Sequence, residues 1–251
     1  MSRKQQVAAA FAAAAATYDT AAEAQARSAD LLAARVLAAG LPPAPRVLEI
    51  GCGTGLLTRR LLPALGGRWT VTDLAPAMVA AARAALPAAD AEFRVLDGEH
   101  PDLPAGSLDL IVSNLAAQWF ADLPSAVDRL AACLKPGGRL MLTTLGAGSF
   151  AEWRQAHWAL GLPCGTPDYP AAVGLAADLS PSGVHEVVAA PVVVRYANGM
   201  EFLRALKAVG AGTPEAGHRP LPPGALRRVM AALGAPCAIT YEVLTVDLCG
   251  P

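Results

Sequence analysis

The sequence is poor in aromatic side chains, in charge and in paired cysteines. Aromatic residues make up 5% of the 251 residues and charged residues 16%, whereas hydrophobic residues reach 54%. Aliphatic side chains must therefore fill most of the core, and this composition excludes an intrinsically disordered chain. Twenty Lys and Arg against 21 Asp and Glu give a net charge of −1. A dedicated nucleic-acid binder normally carries a basic excess, so no nucleic-acid partner is expected.

The cysteines and the apolar runs exclude further classes. The five cysteines are odd in number and widely spaced, and none forms a C-x-x-C pair: Cys52, Cys133, Cys164, Cys237 and Cys249. This pattern indicates neither a disulfide framework nor a zinc site, and the four histidines have no metal-binding spacing, so no metal is expected. No apolar run approaches the ~18 residues of a membrane-spanning helix, and no membrane association is expected.

The first forty residues could be mistaken for a signal peptide. Arg3 and Lys4 precede a run of alanines, but helix-forming sequence continues to Arg35. We interpret residues 3–40 as one or two helices that end at Gly40 and the prolines after it. We therefore expect a cytoplasmic protein with free thiols.

From residue 46 onward, short apolar strands alternate with helices. Strands are predicted at 46–50, 69–73, 92–95, 108–113, 140–144, 191–196 and 239–248. Helices are predicted at 56–65, 76–86, 125–134, 149–160, 199–209 and 225–233. The residues 135–138 predict a turn, and the stretch 161–184 is rich in Pro and Gly and is left without an assignment. The alternation indicates a single α/β domain with a Rossmann-like, mostly parallel sheet of seven strands and helices on both faces.

A glycine-rich loop follows the first strand. It contains Glu49-x-Gly51-x-Gly53-x-Gly55 and leads directly into the first helix of the alternating region. Glycines at such a position permit a tight turn with positive φ and a close approach of the backbone to a ligand. The helix N-terminus that follows offers unpaired N–H groups.

Two acidic residues end the next two strands. Asp73 ends the second strand 22 residues after Gly51, where a carboxylate can accept hydrogen bonds from both ribose hydroxyls. Asp97 and Gly98 end the third strand, in a position suited to an adenine amino group. The carboxyl ends of parallel strands meet at one edge of the sheet, so these groups are expected to face the same ligand.

This combination resembles the class I S-adenosylmethionine-dependent methyltransferases over residues 46–145. The resemblance implies that S-adenosylmethionine is the cofactor, that Glu49 bonds through the loop to its methionine part, that Asp73 holds the ribose and that Asp97 contacts the adenine. It assigns further cofactor-binding positions to Gly51, Cys52, Gly53, Leu74, Met78, Gly98, Asn114 and Leu115.

The loop after the fourth strand bears on the methyl acceptor. Its sequence, Ser113 to Trp119, lacks the Asn/Asp-Pro-Pro-aromatic pattern typical of amide and base-amine methyltransferases. A carboxylate acceptor has a pKa near ~4 and is ionised at pH 7, so it needs no catalytic base. It does need a cationic or hydroxyl clamp.

Four further segments are similar to the malonyl-acyl-carrier-protein O-methyltransferases of biotin synthesis, and with the core motifs the likeness covers residues 7–248. The segments are 13–18 with Gln25 and 28–30, 113–119, 143–152, and 203–211. The family implies methyl transfer to the free carboxyl of a malonyl group on acyl carrier protein. It implies a helical lid at 1–45, a cofactor-binding core at 46–145, and a substrate- and carrier-facing part at 146–251 with helical insertions after strands five and six. The candidate catalytic residues are Tyr18 on the lid, Gln118 and Arg204.

A local basic excess supports an acidic partner. Between residues 195 and 230, six basic side chains stand against two acidic ones: Arg195, Arg204, Lys207, Arg219, Arg227 and Arg228 against Glu201 and Glu215. Such a face steers an acidic carrier. Arg204 is our candidate for the malonyl carboxylate because a guanidinium binds carboxylates through two hydrogen bonds, although it could equally contact phosphopantetheine or the carrier.

Three alternatives stay open at this point. The acceptor could be a small free carboxylic acid such as aconitate, or the chain could be a cofactor-binding assembly factor of a respiratory complex. A nicotinamide-dependent reductase would require dinucleotide binding instead. Trp119, Trp153 and Trp158 are expected in the core or in a pocket wall.

Overall fold

The computed structural model describes residues 2–179, 183–213 and 217–250. Seven strands form one sheet: β1 Arg46–Ile50, β2 Arg68–Asp73, β3 Ala91–Val95, β4 Leu108–Ser113, β5 Leu134–Leu145, β6 Val184–Tyr196 and β7 Cys237–Cys249. Their order is β3-β2-β1-β4-β5-β7-β6. The first five strands are mutually parallel, and β7 runs antiparallel to both β5 and β6. The predicted seven-stranded, mostly parallel sheet is confirmed.

Helices cover both faces of this sheet. Their bounds are α1 Arg3–Ala14, α2 Tyr18–Ala21, α3 Glu23–Leu37, α4 Thr58–Leu65, α5 Pro76–Ala85, α6 Leu123–Ala131, α7 Ala151–Ala159, α8 Ala172–Leu179, α9 Gly199–Ala208 and α10 Pro223–Leu233. Because strand side chains alternate between faces, Val47 packs with α3, α4 and α5, whereas Leu48 and Ile50 pack with α6 and α8. Among the described residues, no helix has the length and apolar character needed to cross a bilayer.

The N-terminal segment folds as three helices where the sequence predicts one or two. The break after α1 coincides with Thr17, whose Oγ1 donates to the carbonyl of Ala14 at 3.2 Å and to that of Ala208 at 2.9 Å. The second of these bonds links the N-terminal segment to α9, nearly two hundred residues away. The alanine-rich sequence carries no local signal for this break, because a distant carbonyl shares in setting it.

One prediction beyond the fourth strand is wrong, and one stretch left without an assignment contains a helix. The segment 135–138 is not a free turn, because it lies inside β5 as an irregularity where the pairing with β4 shifts register. There Gly137 has a φ of +75°, and a Cβ on Gly138 would lie 2.9 Å from the carbonyl oxygen of Leu108. The stretch 161–184 contains α8, whose Leu175 and Leu179 are buried against the sheet.

Candidate active site

The buried carboxylate of Glu49 lies at the end of β1. Its side chain is 1% exposed, and Thr58 Oγ1 donates to Glu49 Oε2 at 2.6 Å. Thr72 Oγ1 donates to the Glu49 backbone carbonyl at 2.7 Å, which ties the strand end to β2. Burial, opposed by the Thr58 bond and reinforced by the nearby Asp73, raises the pKa of Glu49 to about 8.

The loop that follows needs glycine for two different reasons. Gly51 has a φ of +68°, and a Cβ there would lie only 2.4 Å from Ala116 Cβ. Gly53 has a φ of +54°, and its Cβ position faces the ring of Tyr18 at 3.8 Å, an ordinary contact distance. Between them, the Cys52 side chain is buried and its N–H donates to Thr72 at 2.9 Å. Cys52 therefore presents backbone rather than a reactive thiol, and burial raises the pKa of that thiol.

Asp73 organises the opposite side of the loop. Gly53 N donates to Asp73 Oδ2 at 3.0 Å and Ala75 N donates to Oδ1 at 2.8 Å. Burial raises the pKa of Asp73 in spite of these bonds. Each carboxylate oxygen retains capacity for another donor, so the arrangement fits a ribose with two adjacent hydroxyls. Of its predicted neighbours, Leu74 is partly exposed and Met78 is wholly buried beneath Tyr18.

The acid of the third strand is paired within the protein. Lys4 Nζ on α1 lies 2.5 Å and 2.6 Å from the two carboxylate oxygens of Asp97 and 2.5 Å from Glu99 Oε2. Gly98 packs tightly, since a Cβ would lie 2.3 Å from Ile50 Cγ2. Lys4 and Glu99 were not predicted from the sequence, because no local pattern relates a lysine on the first helix to residues just after the third strand.

The residues that follow β4 make hydrogen bonds to different parts of the protein. Asn114 Nδ2 donates to the Gln25 carbonyl at 3.1 Å, and Asn114 Oδ1 accepts from Ser28 Oγ at 2.7 Å. Asn114 therefore anchors α3 to the sheet edge. Leu115 has a φ of +49°, and Gln118 Nε2 donates to the Leu115 carbonyl at 2.6 Å.

A cavity of about 1120 Å³ adjoins this edge. Tyr18, Leu115, Gln118 and Arg204 all line it, so the structure brings the three candidate catalytic residues to one chamber. Its floor is aromatic, with Phe150, Trp153, Phe202 and Tyr241. The glycine loop, Asp73 and Asp97 do not line it, and Tyr18 forms a wall between the loop and the cavity.

The cavity is lined by cations and by no acid within the described ranges. Arg204 and Lys207 on α9 contribute two positive side chains, and no Asp or Glu belongs to its lining. The other four basic residues of the 195–230 region are exposed on the surface outside it: Arg195, Arg219, Arg227 and Arg228. None of the six takes part in an ion pair with a described residue. Glu215, counted in the sequence analysis, lies outside the described residues.

Two of the three predicted tryptophans line the cavity and the third does not. Trp119 and Trp153 line the cavity as expected, and Phe11 on α1 lies edge-on to Trp119 with ring centroids 5.6 Å apart. Trp158 is 81% exposed, so the prediction that it lies in the core or a pocket wall is wrong. It is on α7, whose opposite side carries the buried Trp153 and His157.

The glycine loop, the strand-end acids and the sheet order together define a class I S-adenosylmethionine-dependent methyltransferase. Residues 48–142 match the methyltransferase domain family. The YcgJ protein of Bacillus subtilis has a similar structure, with a TM-score of 0.65 at 18% identity over 89% of this chain and 98% of that one. A Haemonchus contortus phosphoethanolamine N-methyltransferase 2, solved with S-adenosylhomocysteine, has a TM-score of 0.57 at 16% identity, over 88% of this chain and 52% of that one. These two structures show the fold.

Curated relatives narrow the class. The biotin biosynthesis bifunctional protein BioCD of Bordetella avium is 46% identical over 92% of this chain, which spans 50% of that relative's length. The malonyl-[acyl-carrier protein] O-methyltransferase of Magnetococcus marinus is 40% identical over 86% of this chain and 82% of the relative. That of Serratia marcescens is 34% identical over 83% and 79%. The chain belongs to the malonyl-[acyl-carrier protein] O-methyltransferase family.

Proposed function

We propose that this chain transfers the methyl group of S-adenosylmethionine to the free carboxylate of a malonyl thioester on acyl carrier protein, giving a methyl ester for biotin synthesis. The family membership supports the reaction class. The single structural observation that carries the acceptor is the cavity beside Tyr18, with Arg204 and Lys207 in its lining and no acidic side chain. An anionic group that enters such a chamber finds uncompensated positive charge.

Glu49, the glycine loop and Asp73, together called the cleft, would hold the cofactor. The residues that line the cavity would hold the acceptor. The bound cofactor supplies a methyl group on a sulfonium, which is already activated for transfer. Asp73 would accept the ribose hydroxyls, and Glu49 would support the loop through Thr58. Arg204 would orient the malonyl carboxylate by paired hydrogen bonds, which aligns an ionised nucleophile without any general base. Tyr18 and Leu115, both buried, would exclude water from the meeting point.

The carrier would approach the basic face. Arg195, Arg219, Arg227 and Arg228 are exposed and have no ion-pair partner among the described residues. Complementary charge raises the rate of encounter with an acidic protein and is weakened by salt. A cytoplasmic setting without a nucleic-acid partner belongs to the same proposal.

Labelled cofactor tests the proposal directly. The purified protein is expected to methylate malonyl-carrier protein and not acetyl-carrier protein, which lacks the free carboxylate. Equal labelling of both would reject the proposal. Efficient, salt-insensitive labelling of free malonate or aconitate would favour a small-acid substrate instead.

A further inference from the structure

Leu115 has a backbone conformation that leucine seldom adopts. Its φ is +49°, in the left-handed region that favours glycine and, among other residues, asparagine and aspartate. Such a conformation persists only where the surrounding structure holds it, and it is most common at functional sites. Leu115 is the second residue after β4, is buried and lines the cavity. Contacts outside its own backbone must therefore fix its conformation.

The backbone N–H and the carbonyl of Leu115 are both bonded to side chains of other residues. The N–H donates to Thr143 Oγ1 at 2.9 Å, and the carbonyl oxygen accepts from Gln118 Nε2 at 2.6 Å. Thr143 is on β5, one residue beyond Leu142, which pairs with Ser113 at the end of β4. The register of the two strands thus places the Thr143 hydroxyl at the point where the chain leaves β4.

The Thr143 hydroxyl is itself fixed in orientation. Thr143 Oγ1 donates to Asn114 Oδ1 at 3.0 Å, and the same oxygen accepts from Ser28 Oγ of α3 at 2.7 Å. Because the one proton of the Thr143 hydroxyl is used by Asn114, its lone pairs are free to accept the N–H of Leu115. Thr143 and Ser28 are both wholly buried. Water therefore does not compete for these bonds, and the acceptor for the Leu115 N–H is preorganised.

The short segment 115–116 contacts both the cavity and the glycine loop. Leu115 belongs to the apolar cluster that includes Phe150 and Trp153 of the cavity floor. Ala116 approaches the glycine loop so closely that a Cβ on Gly51 would lie 2.4 Å from Ala116 Cβ. The conformation of Leu115 therefore sets the boundary between the loop expected to hold the methyl donor and the cavity expected to hold the acceptor.

We propose that Thr143 is a positioning residue for methyl transfer, which acts by holding Leu115 in its left-handed conformation at this boundary. The inference rests on the proposed function, because it takes the cavity to hold a carboxylate acceptor. Transfer forms a bond from a carboxylate oxygen to the methyl carbon while the carbon–sulfur bond breaks and its electron pair returns to sulfur. Its rate therefore depends on the alignment of the two reactants. Thr143 is wholly buried and does not line the cavity, so its effect reaches the reactants through Leu115.

The substitution Thr143→Val tests this role through the split between kcat and KM. Valine keeps the branched shape suited to a strand, but it removes the acceptor for the Leu115 N–H and the donor to Asn114. With malonyl-carrier protein as acceptor, we expect kcat to fall about tenfold, because a small misplacement of reacting groups is costly. The KM for malonyl-carrier protein and the calorimetric affinity for S-adenosylhomocysteine should stay within about twofold of the wild type. An unchanged kcat would overturn the proposal.

Two matched variants separate positioning from a general loss of packing. Thr143→Ser keeps the hydroxyl and should restore most of the kcat that Thr143→Val loses. Thr144→Val removes the hydroxyl of the next residue of β5, which is also buried but points to the opposite face of the strand. Its kcat should stay within about twofold of the wild type. A fall in kcat that Thr143→Ser does not restore, or that Thr144→Val reproduces, would contradict a positioning role.

Amide hydrogen exchange measures the hold on Leu115 without relying on transfer. The Leu115 N–H is bonded to a buried hydroxyl, so it should be protected in the wild type and exchange about tenfold faster in Thr143→Val. Exchange at Leu115 in Thr143→Ser and in Thr144→Val should match that of the wild type. The same exchange rate in Thr143→Val as in the wild type would mean that the hydroxyl does not hold Leu115, and the proposal would be wrong.

The two proposals can fail separately. If malonyl-carrier protein is methylated but kcat does not depend on Thr143, the proposed function stands and the positioning role is wrong. If the wild type methylates free malonate or aconitate and no malonyl thioester, the proposed acceptor is wrong. The kcat of Thr143→Val is then measured with that free acid, and the same fall with the same rescue by Thr143→Ser would support the positioning role.

Discussion

The cofactor cleft and the neighbouring cavity differ in the sign of the charge that the protein leaves uncompensated. In the cleft, Glu49 is buried with a hydroxyl donor and Asp73 is partly buried with backbone donors, and neither has a cationic partner among the described residues. In the cavity, Arg204 and Lys207 have no acidic neighbour in the lining. The methyl donor is a sulfonium cation and the proposed acceptor is an anion. The cleft therefore offers acidic groups to a cationic methyl donor, and the cavity offers cations to an anionic acceptor.

Some charges elsewhere in the fold are matched by ion pairs within the protein. Arg139 pairs with Asp247 at 2.5 Å between β5 and β7, and Arg60 pairs with Asp30 at 2.5 Å between α4 and α3. These pairs stabilise packing and present little net charge to a ligand. A buried acid without a cationic partner is costly for folding, which indicates that Glu49 serves binding, whereas Arg204 and Lys207 are exposed, have no ion-pair partner among the described residues and are therefore available to a ligand.

Removal of Asp73 should give the largest effect, a loss of cofactor affinity. Asp73→Ala removes a charge and leaves the N–H groups of Gly53 and Ala75 without their acceptor. We expect cofactor affinity to fall about 100-fold or more, from the loss of several charge-assisted hydrogen bonds.

Titration calorimetry with S-adenosylmethionine measures this loss. Asp109→Ala is the matched control, because Asp109 also accepts a backbone N–H at a strand, from Arg46 at 2.8 Å, but lies away from the glycine loop. Cofactor affinity should be retained in that variant. An unchanged affinity in Asp73→Ala would mean that the pocket is misplaced.

Removal of Arg204 should weaken binding of the methyl acceptor and leave cofactor binding unchanged. Arg204→Ala is expected to raise the KM for malonyl-carrier protein about 30-fold, the usual scale for losing a hydrogen-bonded charge pair. Affinity for S-adenosylhomocysteine should not change. Arg227→Ala on α10 removes an exposed cation outside the cavity and should have a several-fold smaller effect that disappears at high salt. Equal effects of the two substitutions would show that Arg204 serves the carrier and not the carboxylate.

The raised pKa of Glu49 predicts that the preference for the cationic form of the cofactor depends on pH. With a pKa of about 8, the buried carboxyl is mainly protonated at pH 7 and gains its charge as the pH rises through about 8. A sulfonium favours the ionised form, whereas the thioether of S-adenosylhomocysteine is neutral. The affinity ratio of S-adenosylmethionine to S-adenosylhomocysteine should therefore rise about three- to tenfold between pH 7 and pH 9.

Glu49→Gln serves as the control for this pH effect, because it cannot ionise and should give a flat ratio. The stability of the unliganded protein also depends on pH through the raised pKa of Glu49. The unfolded carboxyl ionises near its ordinary pKa of 4.5, so the native state holds the extra proton and stability falls as pH rises from about 4.5 to about 8. Glu49→Gln should remove that fall in melting temperature. A ratio that is independent of pH in the wild type would contradict the raised pKa.

The parts of the candidate site that depend on local structure were predictable from the sequence. The glycine loop and Asp73 lie at strand-to-helix turns, where periodicity and glycine spacing fix the backbone and the residues are within one βαβ unit. The parallel arrangement of the first five strands follows from the same alternation. The stretch 161–184 had no such pattern, yet it supplies Pro163, whose carbonyl oxygen lies 2.7 Å from His157 Nδ1, and α8, which packs against the sheet.

The remaining features depend on contacts between distant segments. Asn114 stays a predicted cofactor-binding residue, and its amide also holds α3 through Gln25 and Ser28, which no local pattern indicated. Among the described residues, His157 Nε2 and Gln118 Oε1 are buried without a hydrogen-bond partner. The sequence could not predict this, because packing and not residue spacing decides whether a buried polar atom has a partner. The pairing of Lys4 with Asp97 is of the same kind.

That pairing leads to the smallest expected effect. Lys4 occupies both oxygens of Asp97, the acid expected to contact the adenine, and also pairs with Glu99. If the lysine competes with the adenine amino group, Lys4→Met should free Asp97 and tighten cofactor binding about threefold, since partly exposed ion pairs are worth little. Arg3→Met removes a neighbouring charge on the same helix and should leave the affinity unchanged. Calorimetry with S-adenosylhomocysteine distinguishes the outcomes. Weaker binding in Lys4→Met alone would mean that the lysine, and with it α1, belongs to the cofactor site, so that the cleft carries a compensating cation after all and the contrast with the cavity is reduced.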